Sequence, residues 1–194
     1  LSRYRKLDDD PSAAQLAVLA NSAPPGTVLI PPTTFYMGSY PDEIAAAQND
    51  CVQRNTKERC DPLLTLRESL PQLVSTGAFY LDQTEVTNAL FLRTLNSMQE
   101  KIDLRPIRGK PPRQIRLVEV DGERTMMFDL WNENGKGSGL ELVDGQLRVR
   151  RGFERLPMVL VTKMAAERIC QKRGGRLPSE IEWEAAARGR ERRL

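Results

Sequence analysis

The stretch RLPSEIEWEAAARG, Arg176 to Gly189, carries the clearest local structural signal in the chain. Ser179 and Glu182 have the spacing of a capping box, in which the serine oxygen accepts from the amide three residues on and the glutamate accepts from the serine amide. This spacing predicts a helix that begins at Glu180. Glycine is a common helix stop, so Gly189 is predicted to end the helix.

Other residues of the same stretch predict how this helix is oriented. Pro178 prevents a helix from running in from upstream. Glu184 and Arg188 are four residues apart in the favourable order for an ion pair. Trp183 and Ala187 form a narrow apolar stripe, which is predicted to face inward with the tryptophan as the buried anchor.

Composition limits the domain organisation. The chain has 194 residues, of which 40% are hydrophobic, enough for one sizeable core. The sequence therefore predicts one domain over residues 27–194, preceded by an N-terminal extension or linker over residues 1–26 that ends at Ala23-Pro24-Pro25-Gly26. Asp10 as a cap and Pro11 at the first helical position predict a short helix in the extension. A signal peptide is the competing interpretation, which three aspartates before the apolar run disfavour.

Charge and hydropathy exclude several kinds of partner. The formal net charge is only +3, which is small for a dedicated nucleic-acid binder. The basic stretch over residues 105–116 has no interleaved aromatic residues to stack bases, and it is interpreted as a solvated, proline-stiffened loop. No apolar run approaches the ~20 residues of a membrane span. We expect no nucleic-acid partner and no membrane span.

The residues available for catalysis and metal binding are few. The chain has no histidine, which excludes histidine-ligated metals, a Ser-His-Asp triad and a histidine base. Cys51 and Cys60 lie in a polar stretch and are predicted to form a disulfide if the compartment is oxidising. A metal pair is the alternative, disfavoured because the spacing is not C-x-x-C and no further ligand is near. Cys170 is interpreted as a small buried hydrophobe, with a redox role as the alternative.

The first part of the domain is predicted to alternate strands with one long insertion. TVLIPPTTFYMGS, from Thr27, indicates two short strands around Pro31-Pro32. Residues 40–72 are polar and predict an insertion loop with one helical turn. The apolar side chains predicted to face inward from the two strands are Val28, Ile30, Phe35 and Met37.

Later segments supply the other predicted elements. A strand over residues 78–81 leads to a helix over 88–97 whose core face is Phe91, Leu95 and Met98; a partner-binding face is the alternative. Two Asp-Gly pairs, 121–122 and 144–145, lie between apolar segments and predict hairpins. A further helix is capped by Thr162 and stopped by Gly174-Gly175, with Ala165, Ala166, Ile169 and Cys170 on its apolar face.

Three of these segments, in order, resemble the formylglycine-generating-enzyme (sulfatase-modifying-factor, FGE-sulfatase) family. RLPSEIEWE with AAARG resembles the family's Arg-Leu-Pro-Thr-Glu-x-Glu-Trp-Glu and Ala-Ala-Arg-Gly signature. Met37-Gly38-Ser39 resembles its early Met-Gly-Ser strand end, and FYLDQTEVTNALF, residues 79–91, resembles its entry to the first helix. The structural signature consists of Glu85, Thr87, Asn88, Arg176, Pro178, Ser179, Glu182, Trp183, Glu184 and Arg188.

The resemblance implies an α+β fold of the C-type-lectin-like kind, with two main helices, short mixed strands and long loops. It also implies that the chain is the N-terminal half of such a domain, because the copper-binding cysteines of the oxidase members lie downstream of the signature. This chain then has no catalytic, cofactor-binding or metal-binding residues of its own, and copper or calcium would belong to the missing half. The implied partner is the C-terminal half, as a second chain or a continuation, and the arginines after the signature would suit a processing protease.

Two functions are compatible with the resemblance. One is a ligand- or protein-binding regulatory module within a larger bacterial signalling protein, such as a Ser/Thr kinase fusion. This function is favoured by the long insertions over residues 40–72 and 102–153. It is also favoured by Lys163, which stands where the family usually has tryptophan. The other is half of a copper-dependent oxidase that converts a sulfatase cysteine to formylglycine. The cellular location stays open, as either the cytoplasmic or the extracytoplasmic part of a protein.

Overall fold

The computed structural model describes residues 3–4, 11–55, 60, 71–98, 101–103, 114–118, 124–131 and 137–188. Within them, helices and short strands are mixed in the manner of the α+β class. The described helices are α1 (Ala13–Asn21), α2 (Pro41–Arg54), α3 (Asn88–Asn96), α4 (Lys163–Lys172) and α5 (Glu180–Arg188). None of them combines the length and the apolar character that a membrane span requires.

The described strands form small sheets. The strands are β1 (Arg3–Tyr4), β2 (Thr27–Ile30), β3 (Thr33–Met37), β4 (Gln72–Thr76), β5 (Phe79–Asp82), β6 (Lys101–Asp103), β7 (Gln114–Val118), β8 (Arg124–Asp129), β9 (Leu140–Val143) and β10 (Gln146–Val149). The strand orders are β1-β5-β2, β3-β4, β6-β7-β8 and β9-β10. The pairs β3-β4, β6-β7, β7-β8 and β9-β10 are antiparallel.

The described residues fall into two compact units. The first unit is built mainly from Pro24–Val28 and Leu81–Leu177. The second unit is built from Tyr4–Ala23, Leu29–Tyr80 and Pro178–Leu194.

The core of the first unit lies between α3, α4 and the strands β7 to β10. Phe91 and Leu95 are buried on one face of α3, which confirms the helix and the face predicted from the i, i+4 spacing. The Phe91 ring meets the ring of Phe128 on β8 edge-on, with centroids 5.4 Å apart. Ile169 brings α4 to the same core. The buried members of this core are Phe91, Leu92, Leu95, Ile115, Met127, Phe128, Leu130, Leu140, Ala165 and Ile169.

Both predicted hairpin pairings are present in the first unit. Asp144 and Gly145 have φ angles of 49° and 76°, the left-handed conformations that a type I′ turn requires. Val143 therefore pairs with Gln146 at the tip of β9 and β10. β7 pairs with β8 as predicted, with an irregularity after Ile115, while the predicted Asp-Gly turn at 121–122 lies outside the described residues.

The second unit places α5 on the two-stranded sheet β3-β4. Phe35 on β3 is buried, as its alternation with exposed neighbours predicted. Ala185 is the buried small residue of α5, which lets the helix approach the sheet closely. Val28 on β2, in contrast, is exposed, so its predicted inward orientation is wrong.

Two helices differ from the predictions. The insertion predicted as a loop with one turn holds the 14-residue helix α2, which has Pro41 at its start, two acids in its first turn and Arg54 in its last. The segment is mostly polar and none of its residues is fully buried, which is why it was interpreted as a loop. In α1 the cap is Ser12, in a capping box with Gln15, and Asp10 lies outside the described residues. The described residues hold five helices.

Candidate functional site

The N-terminus of α5 is fixed by the predicted capping box. The Glu182 amide donates to the Ser179 hydroxyl at 3.2 Å, and the Ser179 amide donates to the Glu182 carboxylate at 2.7 Å. The helix begins at Glu180 as predicted, and the predicted stop at Gly189 lies outside the described residues. Glu182 is only 5% exposed, which is unusual for a carboxylate and follows from its use as a cap.

The predicted orientation of α5 is wrong. Trp183 is 63% exposed, and Ala187 is exposed on the same stripe. The helix instead buries Glu182 and Ala185. Successive residues of a helix point about 100° apart, so the cap that turns Glu182 inward turns its neighbour Trp183 outward. The prediction from apolar character alone therefore chose the wrong face of α5 as the buried one.

The other end of α5 is joined to the Met-Gly-Ser strand end. Arg188 donates from Nη1 to the Gly38 carbonyl at 2.9 Å, and the Gly38 amide donates to Glu184 Oε1 at 2.9 Å. Arg188 Nε lies 3.3 Å from the same Glu184 oxygen, and Arg188 Nη2 lies 3.9 Å from Glu43 Oε2 at the start of α2. Gly38 has a φ of 99°, a conformation that favours glycine. Two of the segments that carry the family resemblance thus meet in one cluster of hydrogen bonds and ion pairs, the Arg188 cluster, of Gly38, Glu43, Glu184 and Arg188.

In the first unit, Asn88 is the centre of a second cluster. Its side chain is 1% exposed, and Nδ2 donates to the carbonyls of Phe153 at 3.0 Å, Leu156 at 2.9 Å and Pro157 at 3.4 Å. The backbone amide of Asn88 also donates to the Leu156 carbonyl at 2.9 Å. A Cβ atom added to Gly139 would lie 2.6 Å from Asn88 Nδ2, so the backbone at Gly139 packs directly on the side-chain amide of Asn88. Within the described residues, Asn88 Oδ1 has no hydrogen-bond partner.

The remaining signature residues are peripheral to these clusters. Thr87 caps α3 by accepting from the Leu90 amide at 3.3 Å. Arg176 is half-buried and donates to the Leu177 carbonyl at 2.9 Å. Pro178 is half-buried and Glu85 is exposed.

The signature residues therefore act mostly through contacts inside the protein. A family model described as the sulfatase-modifying factor enzyme 1-like domain, FGE-sulfatase, matches residues 13–194. The chain belongs to this family. No curated protein matches it. The match begins inside the segment that the sequence predicted as an extension, so α1 is included in it.

The cysteine pair of this FGE-sulfatase domain forms a disulfide. Cys51, near the end of α2, is bonded to Cys60, with Cα atoms 5.9 Å apart. The pair is consequently not a ligand set. In the part of the chain that the structure describes, no three His, Cys, Asp or Glu side chains are grouped as metal ligands.

Reduction of this disulfide is expected to lower the free energy of unfolding by about 2–3 kcal/mol, because the bond closes a short loop in the unfolded chain. Denaturant unfolding with and without a phosphine reductant measures the change. The variant Cys51→Ser/Cys60→Ser serves as the control, since its stability should not respond to the reductant. Equal stability of the oxidised and reduced wild type would contradict the expectation.

Cys170 is a buried free thiol on α4. Burial raises its pKa above the ordinary thiol value of 9.0. Arg173, one turn on, is held in a two-point ion pair with Asp82, at 2.8 and 3.3 Å. A neutral, covered thiol is a poor nucleophile, so the structure favours the interpretation of Cys170 as a packing residue.

We expect a thiol reagent to label Cys170 about 100-fold more slowly in the native protein than in the unfolded chain, because labelling requires opening of α4. Because its folded pKa is raised, the thiol stabilises the fold below about pH 9, and this contribution is lost as pH rises above that value. Cys170→Ala should lose less stability than wild type between pH 8 and pH 10. Rapid native labelling, or identical alkaline profiles, would show that the thiol is accessible.

The second unit also contains an open cavity of about 540 Å³ beside β3 and β4. Its described lining consists of prolines, one leucine and hydroxyl side chains, with no charged residue among them. The lining residues are Pro11, Leu16, Pro32, Thr33, Thr34, Ser75 and Thr76. Such a lining offers hydrogen bonds to a neutral molecule and contains no acid–base pair.

Residues outside the signature were missed by the sequence reading. Glu43 and Gly139 contact signature side chains, but each is separated from them by many residues in the chain. No local spacing rule connects such positions. The one available signal was the pairing of Met-Gly-Ser with the Arg-Leu-Pro signature in a single family pattern.

Proposed function

We propose that this FGE-sulfatase domain is a non-catalytic ligand- or protein-binding module on a C-type-lectin-like scaffold, within a larger bacterial signalling protein such as a Ser/Thr kinase fusion. The exposure of Trp183 is the observation that carries the proposal. Tryptophan is among the residues most enriched at the energetic centres of interfaces. The capping box and the Arg188 cluster fix both ends of α5, so the indole is presented on a rigid element.

The internal hydrogen bonds and ion pairs of the other signature residues support a binding function. Asn88, Glu182, Glu184 and Arg188 all use their polar groups on internal partners. These groups stabilise a scaffold, and the side chains left for contact with other molecules are the outward ones. A fold shared with enzymes does not by itself imply their chemistry.

We further propose that the protein bound through Trp183 is the C-terminal half of the same domain, supplied by a second chain or by a continuation of this one. The sequence resemblance motivates this partner. Any copper or calcium of the complete domain would then be held by that half. Hydroxyl-radical footprinting tests the contact: Trp183 should be oxidised readily in this chain and be protected in the larger protein. Equal oxidation in both would contradict it.

The second candidate is a copper-dependent formylglycine-generating oxidase, which the description of the matching family favours. The larger protein is loaded with copper and mixed with a cysteine-containing sulfatase peptide, and oxygen uptake is recorded. The binding module should consume no oxygen above the copper-only blank. Catalytic oxygen uptake with conversion of the peptide cysteine to an aldehyde would replace the proposed function by the oxidase.

A further inference from the structure

Residues 151–157, Arg-Gly-Phe-Glu-Arg-Leu-Pro, form a loop that presents every side chain to solvent. The backbone of this 151–157 loop is nevertheless fixed. Its carbonyls at Phe153, Leu156 and Pro157 accept from the buried Asn88 side chain, and its carbonyl at Glu154 accepts from the Ala89 amide at 3.2 Å. The Leu156 amide donates to the Phe153 carbonyl at 3.2 Å. The loop therefore satisfies its backbone internally and leaves its side chains free for contact.

The composition of the exposed surface is that of an interface centre. Phe153 is 38% exposed and Leu156 is 47% exposed, although both are large apolar side chains. Around them lie the exposed arginines Arg151 and Arg155, with Arg148 three residues upstream. Residues 151–157 carry two exposed arginines and one exposed acid, Glu154, while Arg148 is paired in register with Glu141 on β9. Aromatic, aliphatic and arginine side chains are the groups that interfaces concentrate.

Rigidity adds to the argument for binding. Ordering a flexible loop on association costs conformational entropy, which a loop already held by several hydrogen bonds does not lose again. Exposed apolar groups beside a loop with two arginines and one acid favour a partner that carries both an apolar side chain and carboxylates. A rigid, narrow loop of this kind fits a single protein segment.

We propose that the 151–157 loop is a docking surface for an acidic protein segment in which one or two apolar side chains are flanked by aspartate or glutamate. Phe153 and Leu156 contact the apolar groups, and Arg151 and Arg155 pair with the carboxylates. This inference rests on the proposed binding function, because it names the partner class of one surface of that module.

A random-peptide phage library tests the proposal on the complete protein. Selected peptides should be enriched in Leu, Phe, Trp or Met next to two or more acids. Synthetic copies of these peptides should bind about tenfold or more weakly to Arg151→Glu/Arg155→Glu than to wild type. The matched control is Arg93→Glu/Lys172→Glu, which makes the same charge change at two exposed positions of the same unit and should leave binding unchanged.

A second variant tests the apolar contacts. Phe153→Ser/Leu156→Ser should abolish peptide binding while the protein still unfolds in one cooperative transition, because neither side chain is fully buried. The proposal is overturned if no acidic peptides are selected, if they bind equally to the charge-reversed protein, or if the loop binds only vesicles of anionic phosphatidylglycerol. Oxygen uptake in the oxidase assay would refute the proposed function independently of the peptide result.

Discussion

Asn88→Ala is expected to lower the free energy of unfolding by about 3 kcal/mol. The substitution removes the three hydrogen bonds that Nδ2 donates to the loop carbonyls, each of which contributes about 1 kcal/mol. The Phe153 and Leu156 carbonyls keep one backbone donor each, whereas the Pro157 carbonyl loses the side-chain donor. It also removes the side chain on which Gly139 packs. Chemical denaturation measures the change, and Asn96→Ala at the exposed end of the same helix is the control, with an expected effect below about 0.5 kcal/mol.

Substitutions at two glycines distinguish the cost of disturbing the Asn88 contact from the cost of backbone strain. Gly139 and Gly145 have similar φ angles, 84° and 76°, but only Gly139 faces another group within reach of an added Cβ. Gly145→Ala should cost about 1 kcal/mol, the price of a left-handed alanine. Gly139→Ala should cost about 2–4 kcal/mol, because its Cβ also overlaps the Asn88 amide.

The double variant Asn88→Ala/Gly139→Ala completes a mutant cycle. Its loss of stability should be smaller than the sum of the single losses by about 1–2 kcal/mol, because the overlap disappears with the amide. Strict additivity would show that Gly139 and Asn88 do not interact. Equal losses for the two glycine variants would lead to the same conclusion.

Arg188→Met is the second large effect, with an expected loss of about 2–3 kcal/mol. It removes the donor to the Gly38 carbonyl and the positive charge beside the Glu184 carboxylate, which among the described residues keeps only the Gly38 amide, in surroundings where the arginine side chain is 21% exposed. Breaking a largely covered ion pair leaves an uncompensated charge. The measurement is thermal or denaturant unfolding at neutral pH.

Arg54→Met is the matched control for this effect. Arg54 forms an i,i+4 pair with Asp50 at 2.8 Å, but its side chain is 75% exposed. Solvent screens such a pair, so its loss should cost less than about 0.5 kcal/mol although the charge change is the same. Similar losses in the two variants would mean that the Arg188 cluster does not stabilise the second unit.

The elements that sequence predicted well are those whose cause is local. The Ser179–Glu182 cap, the Asp144-Gly145 turn and the apolar face of α3 each depend on residues within about one helical turn or one hairpin. These rules need no knowledge of the tertiary structure. They located the starts of α3, α4 and α5 and the strand pairings β7-β8 and β9-β10.

The candidate site was less predictable because its causes are distant in sequence. Trp183 was assigned to the core from its apolar character, but the buried caps and ion pairs of α5 decided which face turns inward. Helix α2 was missed because its segment is mostly polar, and none of its residues is fully buried. The presentation of the 151–157 loop depends on Asn88, more than 60 residues earlier in the chain.

The hydrogen bonds that hold the backbone of the 151–157 loop have a consequence for protein engineering. Because its backbone is held by α3 and its side chains contribute little to the core, the five positions Arg151, Phe153, Glu154, Arg155 and Leu156 can be randomised together as a combinatorial library. Gly152, with a φ of 85°, and Pro157 are kept to preserve the loop conformation. The domain thereby supplies a ready frame for selecting new recognition specificities.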